Sequence, residues 1–309
     1  MRIFVAGASG AVGQPLVRRL AEAGHEPTGM TRTPAKAARL RELGAEPVVA
    51  DALDREAVMA AVVAARPEVV VHQLTAIADM KRNLDASFVL TNRLRTEGTD
   101  HLLAAARAAG AHRFVAQSFA PWSYKREGGQ GKAEDAPLET DPPKHVEETL
   151  AAIRHLEAAV TGAEDLEGIV LRYGGFYGPG TGLARDGDMA EMVVKGRFPV
   201  VGDGGGVWSL VHIEDAAAAT VAAIERGRPG VYNVADDEPA PVREWLPALA
   251  EALGGRRPRR MPGFLGRLLL GPAGYAMMTE IRGVSNAKAK RELGWAPAYP
   301  TWRQGFAAL

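Results

Sequence analysis

Gly7-Ala8-Ser9-Gly10-Ala11-Val12-Gly13 decides the fold. It follows Arg2-Ile3-Phe4-Val5-Ala6, an apolar run that reads as a buried parallel strand. It leads into Pro15-Leu16-Val17-Arg18-Arg19-Leu20, which reads as a helix. Glycines let a backbone turn sharply and approach a pyrophosphate closely, and a helix N-terminus offers free N–H groups and the positive end of its dipole. Three glycines alone also fit a purely structural turn. The strand before them and the helix after them point to a dinucleotide cradle.

Outward from that turn, strands and helices alternate. Strands are expected at 26–30, 46–50, 69–72, 113–117 and 168–172, and helices at 34–43, 55–65, 85–109 and 146–160. Such alternation predicts an α/β fold, a Rossmann-like doubly wound parallel sheet covered on both faces. The ligand crevice then lies beyond the C-terminal strand ends. This places Arg32, Asp51, Ala52, Leu74, Thr75, Ser118, Tyr173, Gly175 and Phe176 around one site with Gly7, Ser9, Gly10, Ala11, Val12 and Gly13. Met30-Thr31-Arg32-Thr33, after the second strand, contains no acid to accept from a ribose 2′-hydroxyl. Arg32 instead suits a 2′-phosphate, so NADP(H) is the expected cofactor; the bland reading of Arg32 is a solvated loop charge. Asp51 is a candidate for the adenine amine, or else a turn or cap residue before the next helix.

Bulk properties exclude several classes. The 309 residues include 37 Lys plus Arg against 37 Asp plus Glu, so no net charge argues for nucleic acid or an anionic membrane. There are no cysteines, hence no disulfide, thiolate nucleophile or cysteine metal site. The first strand begins at residue 2 and the most apolar late stretch, 264–278, is broken by Arg267 and Pro272. A soluble cytoplasmic protein, monomer or homodimer, with no metal is therefore expected. The stretch from Phe264 to Tyr275 reads as an apolar helix, either core or the wall of a pocket for an apolar substrate. The Arg256-Arg257-Pro258-Arg259-Arg260 run reads as a solvated linker.

The chain resembles the extended short-chain dehydrogenase/reductase family, which includes nucleotide-sugar epimerases and dehydratases. The landmarks are Gly7-x-x-Gly10-x-x-Gly13, Asp51, Asn92 with Gly98-Thr99, and Ser118. They continue with Leu171-Arg172-Tyr173-Gly174-Gly175-Phe176-Tyr177-Gly178-Pro179, Val211-His212-x-x-Asp215 and Leu293-Gly294-Trp295-x-Pro297. The resemblance implies a dinucleotide-binding domain from 1–173 plus 210–236, and a smaller substrate domain from 174–209 plus 237–309. It implies that Asn92 joins the cofactor site and that Ser118 is the family's catalytic Ser.

The family's Tyr-x-x-x-Lys does not appear. Anchoring the motif on Glu157 puts Thr149 and Ile153 at the Tyr and Lys positions, and neither can replace them. Tyr124, in the long connection 119–143, is a candidate relocated acid or a packing aromatic; His145 and His212 read as capping or structural residues. Three readings follow. One is an NADPH-dependent reductase of a ketone, with its proton supplied by substrate or water. Antibiotic-pathway polyketide ketoreductases of the angucyclinone type are atypical relatives of this kind, and imply an apolar or aromatic small-molecule substrate. The second is an epimerase or dehydratase-type enzyme. The third is a non-catalytic NADP(H) sensor.

Overall fold

The computed structural model describes residues 1–77, 84–143 and 146–309, the side chains of 84–87 excepted. Its centre is a seven-stranded parallel sheet. The strands β1 (Arg2–Ala6), β2 (Glu26–Thr31), β3 (Glu46–Val49), β4 (Val69–His72), β5 (Arg113–Phe119) and β6 (Glu167–Tyr173), with Gly230–Val234, line up as β3-β2-β1-β4-β5-β6-(Gly230–Val234). Helices α1 (Gly13–Glu22), α2 (Ala37–Glu42), α3 (Arg55–Ala65), α4 (Leu84–Arg93), α5 (Thr99–Ala108) and α6 (Glu147–Thr161) supply the crossovers in the first half. A π-helical turn, Leu94–Gly98, divides the single helix expected at 85–109 into α4 and α5.

Side-chain alternation explains the double cover. Ile3, Val5, Val69, Val71 and Val115 pack against Leu16, Val17 and Leu20 of α1 and the alanine-rich helix Ile213–Arg226. Phe4, Val70, Phe114 and Ala116 point the other way, onto Val58 and Val62 of α3, Leu102 and Leu103 of α5, and Leu156 and Val160 of α6. Both faces are dry, so the strands read as unbroken apolar runs rather than as alternating ones. The chain reverses its direction of travel across the sheet between β1 and β4, and a crevice opens at such a switch point.

A third core lies outside the sheet. Tyr177, Val200, Leu210, Trp245, Leu246 and Trp302 pack together, drawn from the segments before and after the last sheet strand. The helix Gly263–Thr279 differs from its sequence reading. Gly271 (φ 67°, ψ 176°), ahead of Pro272, breaks it. The first half is neither core nor enclosed wall: Phe264 is 74% and Leu268 78% exposed. Only the second half turns inward, through Ala273, Ala276 and Met277. Apolarity alone cannot tell a buried face from an exposed one when every face is apolar.

Candidate active site

The glycine turn is built for close approach. Gly7 has φ +87°, and a Cβ there would stand 2.5 Å from the Gln73 carbonyl oxygen at the end of β4. A Cβ on Gly13 would stand 2.2 Å from the Gly7 carbonyl, so α1 can start here only with glycine. The first turn of α1 carries no acid. Free amides, a dipole end and no opposing carboxylate fit a pyrophosphate.

The turn is tied to the end of β2. Ser9 Oγ and Thr31 Oγ1 share a hydrogen bond of 2.9 Å, and the Thr33 amide donates to Thr31 Oγ1 at 3.2 Å. Arg32, beside them, is exposed, and no hydrogen bond or ion pair engages its side chain among the described residues. Asp51 accepts from the Leu53 amide at 3.0 Å, which makes it a turn residue; the cap of α3 is Asp54. Ala52 is buried. Leu74, half-buried, donates its amide to His72 Nδ1 at 3.2 Å, and Thr75 is exposed.

Deeper in, two buried amide oxygens lack partners among the described residues, Gln73 Oε1 and Asn92 Oδ1. Asn92 Nδ2 donates to Thr149 Oγ1 at 3.2 Å, and Gln73 Nε2 to the Tyr173 hydroxyl at 3.3 Å. Orphaned acceptors are costly unless something fills the space beside them, so they fit a site made for a polar ligand. Tyr173 is fully buried and its hydroxyl also meets Thr220 Oγ1 at 2.6 Å, which leaves only its main chain for the crevice. Gly175, two residues on, is held against the Trp208 ring, and the Phe176 ring lies tilted against that of Tyr173, with centroids 5.2 Å apart.

Ser118 faces the other way. Its parity with Phe114 and Ala116 turns it toward α6, where its hydroxyl donates to Glu157 Oε1 at 2.6 Å. It is 2% exposed. Arg172 also donates to that carboxylate, from Nε at 2.8 Å and from Nη2. Its Nη1 donates to the Tyr124 hydroxyl at 2.8 Å, and Tyr124 donates to Asn233 Oδ1 at 2.7 Å. Burial pushes the Tyr124 phenol up; the neighbouring Arg172 only partly opposes this. Its proton is held by Asn233, not aimed at a reacting oxygen. Nothing in the chain's periodicity announced this Ser118–Glu157–Arg172–Tyr124–Asn233 network. The one available signal was the paired parity of Ser118 on β5 and Arg172 on β6, which are register partners.

Where the resemblance places the lysine, the surroundings are apolar. Ile153 packs with Trp122, Val146, Ala276 and Ile281, and Phe119 and Trp208 close the cluster. Thr149 beside it is buried. His212 caps the helix Ile213–Arg226 by accepting from the Glu214 amide at 3.2 Å. His145 lies outside the described residues. Among the described residues no group of His, Asp and Glu could hold a metal ion, and no helix is long and apolar enough to cross a membrane.

Residues 3–235 match the model of the NAD dependent epimerase/dehydratase family. Along 99% of both chains, the sequence is 48% identical to a 3-diazoavenalumate denitrifying reductase from a Streptomyces species. A 2-alkyl-3-oxoalkanoate reductase from Stenotrophomonas maltophilia is 30% identical, over 83% of this chain and 77% of that one. Among solved structures, the UDP-glucose 4-epimerase of Thermus thermophilus in complex with NAD superposes with a TM-score of 0.74 at 26% identity, covering 99% of this chain and 97% of that one.

Proposed function

The chain belongs to the NAD dependent epimerase/dehydratase family and is a reductase-type enzyme that uses a nicotinamide cofactor, and we propose that it removes dinitrogen reductively from an aryl diazonium acid. Its reductase relatives set aside the non-catalytic sensor. The observation that carries the proposal is a crevice in which no side chain among the described residues is placed as a proton donor. Thr149 and Ile153 stand where a Tyr and Lys would, Ile153 lies in an apolar cluster, and the Ser118 proton is given to Glu157. A bound reduced nicotinamide supplies a hydride, and hydride plus an aryl diazonium cation gives an arene and dinitrogen with no proton to deliver, whereas a ketone leaves an alkoxide that needs one. In this reaction one C–N bond breaks, one C–H bond forms, and the aryl carbon is reduced.

The chain's own residues then have a limited task. The Gly7–Gly13 turn and the α1 N-terminus hold the pyrophosphate. Ser9 and Arg32 take the 2′-phosphate, which makes the cofactor NADP(H), and Asn92 with Gly175 and Phe176 borders the nicotinamide end. Phe119, Trp122 and Ile153 exclude water from a reactive electrophile. Both named relatives act on carboxylates, 3-diazoavenalumate and a 2-alkyl-3-oxoalkanoate, and we extend that feature to this substrate. The second relative also favours a second reading, reduction of a ketone with a proton drawn from the substrate's own phenol or from water. Purified enzyme with NADPH and 3-diazoavenalumate should release one dinitrogen per NADPH oxidised. Turnover of a 2-alkyl-3-oxoalkanoate, with no dinitrogen above the enzyme-free rate, would replace the first reading with the second.

A further inference from the structure

A second, narrow cleft, with room for about one water-sized group, opens beside the end of β6. Ala120 and Tyr124 of the connection after β5 form one wall, and Gly174, Ser209 and Val284 another. Two cations, Lys132 and Arg282, also line it, and no Asp or Glu does. Its neutral donors are already spent. The Ser209 hydroxyl donates to the Val284 carbonyl at 3.1 Å and accepts from the Val284 amide at 2.7 Å. The Tyr124 hydroxyl serves Asn233.

The two cations are not spent in that way. Among the described residues Lys132 Nζ donates only to the neutral Glu127 carbonyl, at 2.7 Å. Arg282 Nε is fully buried without any hydrogen-bond partner, and no carboxylate pairs with this guanidinium among the described residues. Its main chain is pinned, with the carbonyl accepting from the Gly131 amide at 2.9 Å. Arg172 is neutralised by Glu157, and Arg126 by Glu139 and Glu280. Arg95 has an unpartnered Nη1 as well, but it lies within the field of Glu157 and does not line this cleft. A partly buried guanidinium without an anion is costly, and a planar fork is shaped for a carboxylate. Gly174 lines this cleft and adjoins Gly175, which the proposed function sets at the nicotinamide end.

We propose that Arg282, assisted by Lys132, is the site that binds the substrate's carboxylate. The proposal rests on the reading of the substrate as an aryl acid. The kinetic probes are 3-diazoavenalumate and its methyl ester. Wild-type enzyme should prefer the acid in kcat/KM, and Arg282→Gln should lower the acid-to-ester ratio by about 10- to 100-fold, the size of a lost charged hydrogen bond. Arg282→Lys should restore part of it. A merely structural Arg282 would change both substrates alike and leave the ratio where it was, and that result, or a wild type with no preference, overturns the proposal. The wild-type preference also covers a variant that fails to fold.

Binding separates this inference from the reaction it rests on. 4-Hydroxycinnamate, which has no diazo group, and its methyl ester can be titrated calorimetrically into enzyme loaded with NADP. Loss of acid-selective binding in Arg282→Gln supports the anchor even if no dinitrogen is ever released. Unchanged binding, with dinitrogen release intact, removes the anchor and leaves the reaction standing.

Discussion

The Ser118 hydroxyl donates to a carboxylate that Arg172 already holds through two nitrogens. Its removal leaves a buried Glu157 oxygen one donor short, which costs about 1–3 kcal/mol. Ser118→Ala should therefore lower the thermal midpoint while kcat/KM stays within a few-fold of wild type. A loss of 10²- to 10³-fold in turnover at unchanged stability would instead return Ser118 to the role of oxyanion donor. Alternation along β5 underlies the first expectation, because a strand shows successive side chains to opposite faces and residue 118 falls on the side of α6.

Among elements, the proposed preference for NADP(H) rests on the junction of the glycine turn with the end of β2. Ser9 and Thr31 are bonded across it, and Arg32 extends from it without an internal partner. Arg32→Ala should raise the KM for NADPH at least tenfold and leave that for NADH nearly unchanged, since only the former carries a 2′-phosphate for the guanidinium to bind. Equal effects on the two cofactors would reduce Arg32 to a solvated charge. The helix Gly263–Thr279 shows the opposite behaviour of an element. Its two halves are both largely apolar but differ in environment, because the Gly271-Pro272 break lets one half pack over Trp122 and Ile153 while the other stays exposed.

At the scale of the molecule, Asp236 sits in a packed region between the last sheet strand and the third core. It is fully buried, and its Oδ2 has no partner. Burial, chiefly, pushes its carboxyl up to about 8. An unfolded Asp titrates near 4, so between about pH 4 and pH 8 the native state holds a proton that the unfolded chain has lost. Stability on this account falls as pH rises through that window, with no penalty below it and the full penalty above it. Asp236→Asn should raise the thermal midpoint relative to wild type by an amount that grows from pH 5 to pH 8.5. A difference independent of pH would show that Asp236 is ionised throughout.

The parallel α/β sheet was legible in the chain because it is written in local terms. Apolar runs of strand length, a glycine turn after the first, and alternating helical segments admit few other arrangements, and the family landmarks are contiguous words of sequence. The turn itself carried its conformational demand in three glycines, two of which the fold cannot replace without collision. The direction of the Ser118 hydroxyl depended on tertiary structure, because Glu157 and Arg172 come from α6 and β6. So did the exposure of Phe264 and Leu268, because apolar content says nothing about which partner arrives. The meeting of Lys132 and Arg282 joins positions 150 residues apart in the chain, and only packing brings their charges to one cleft.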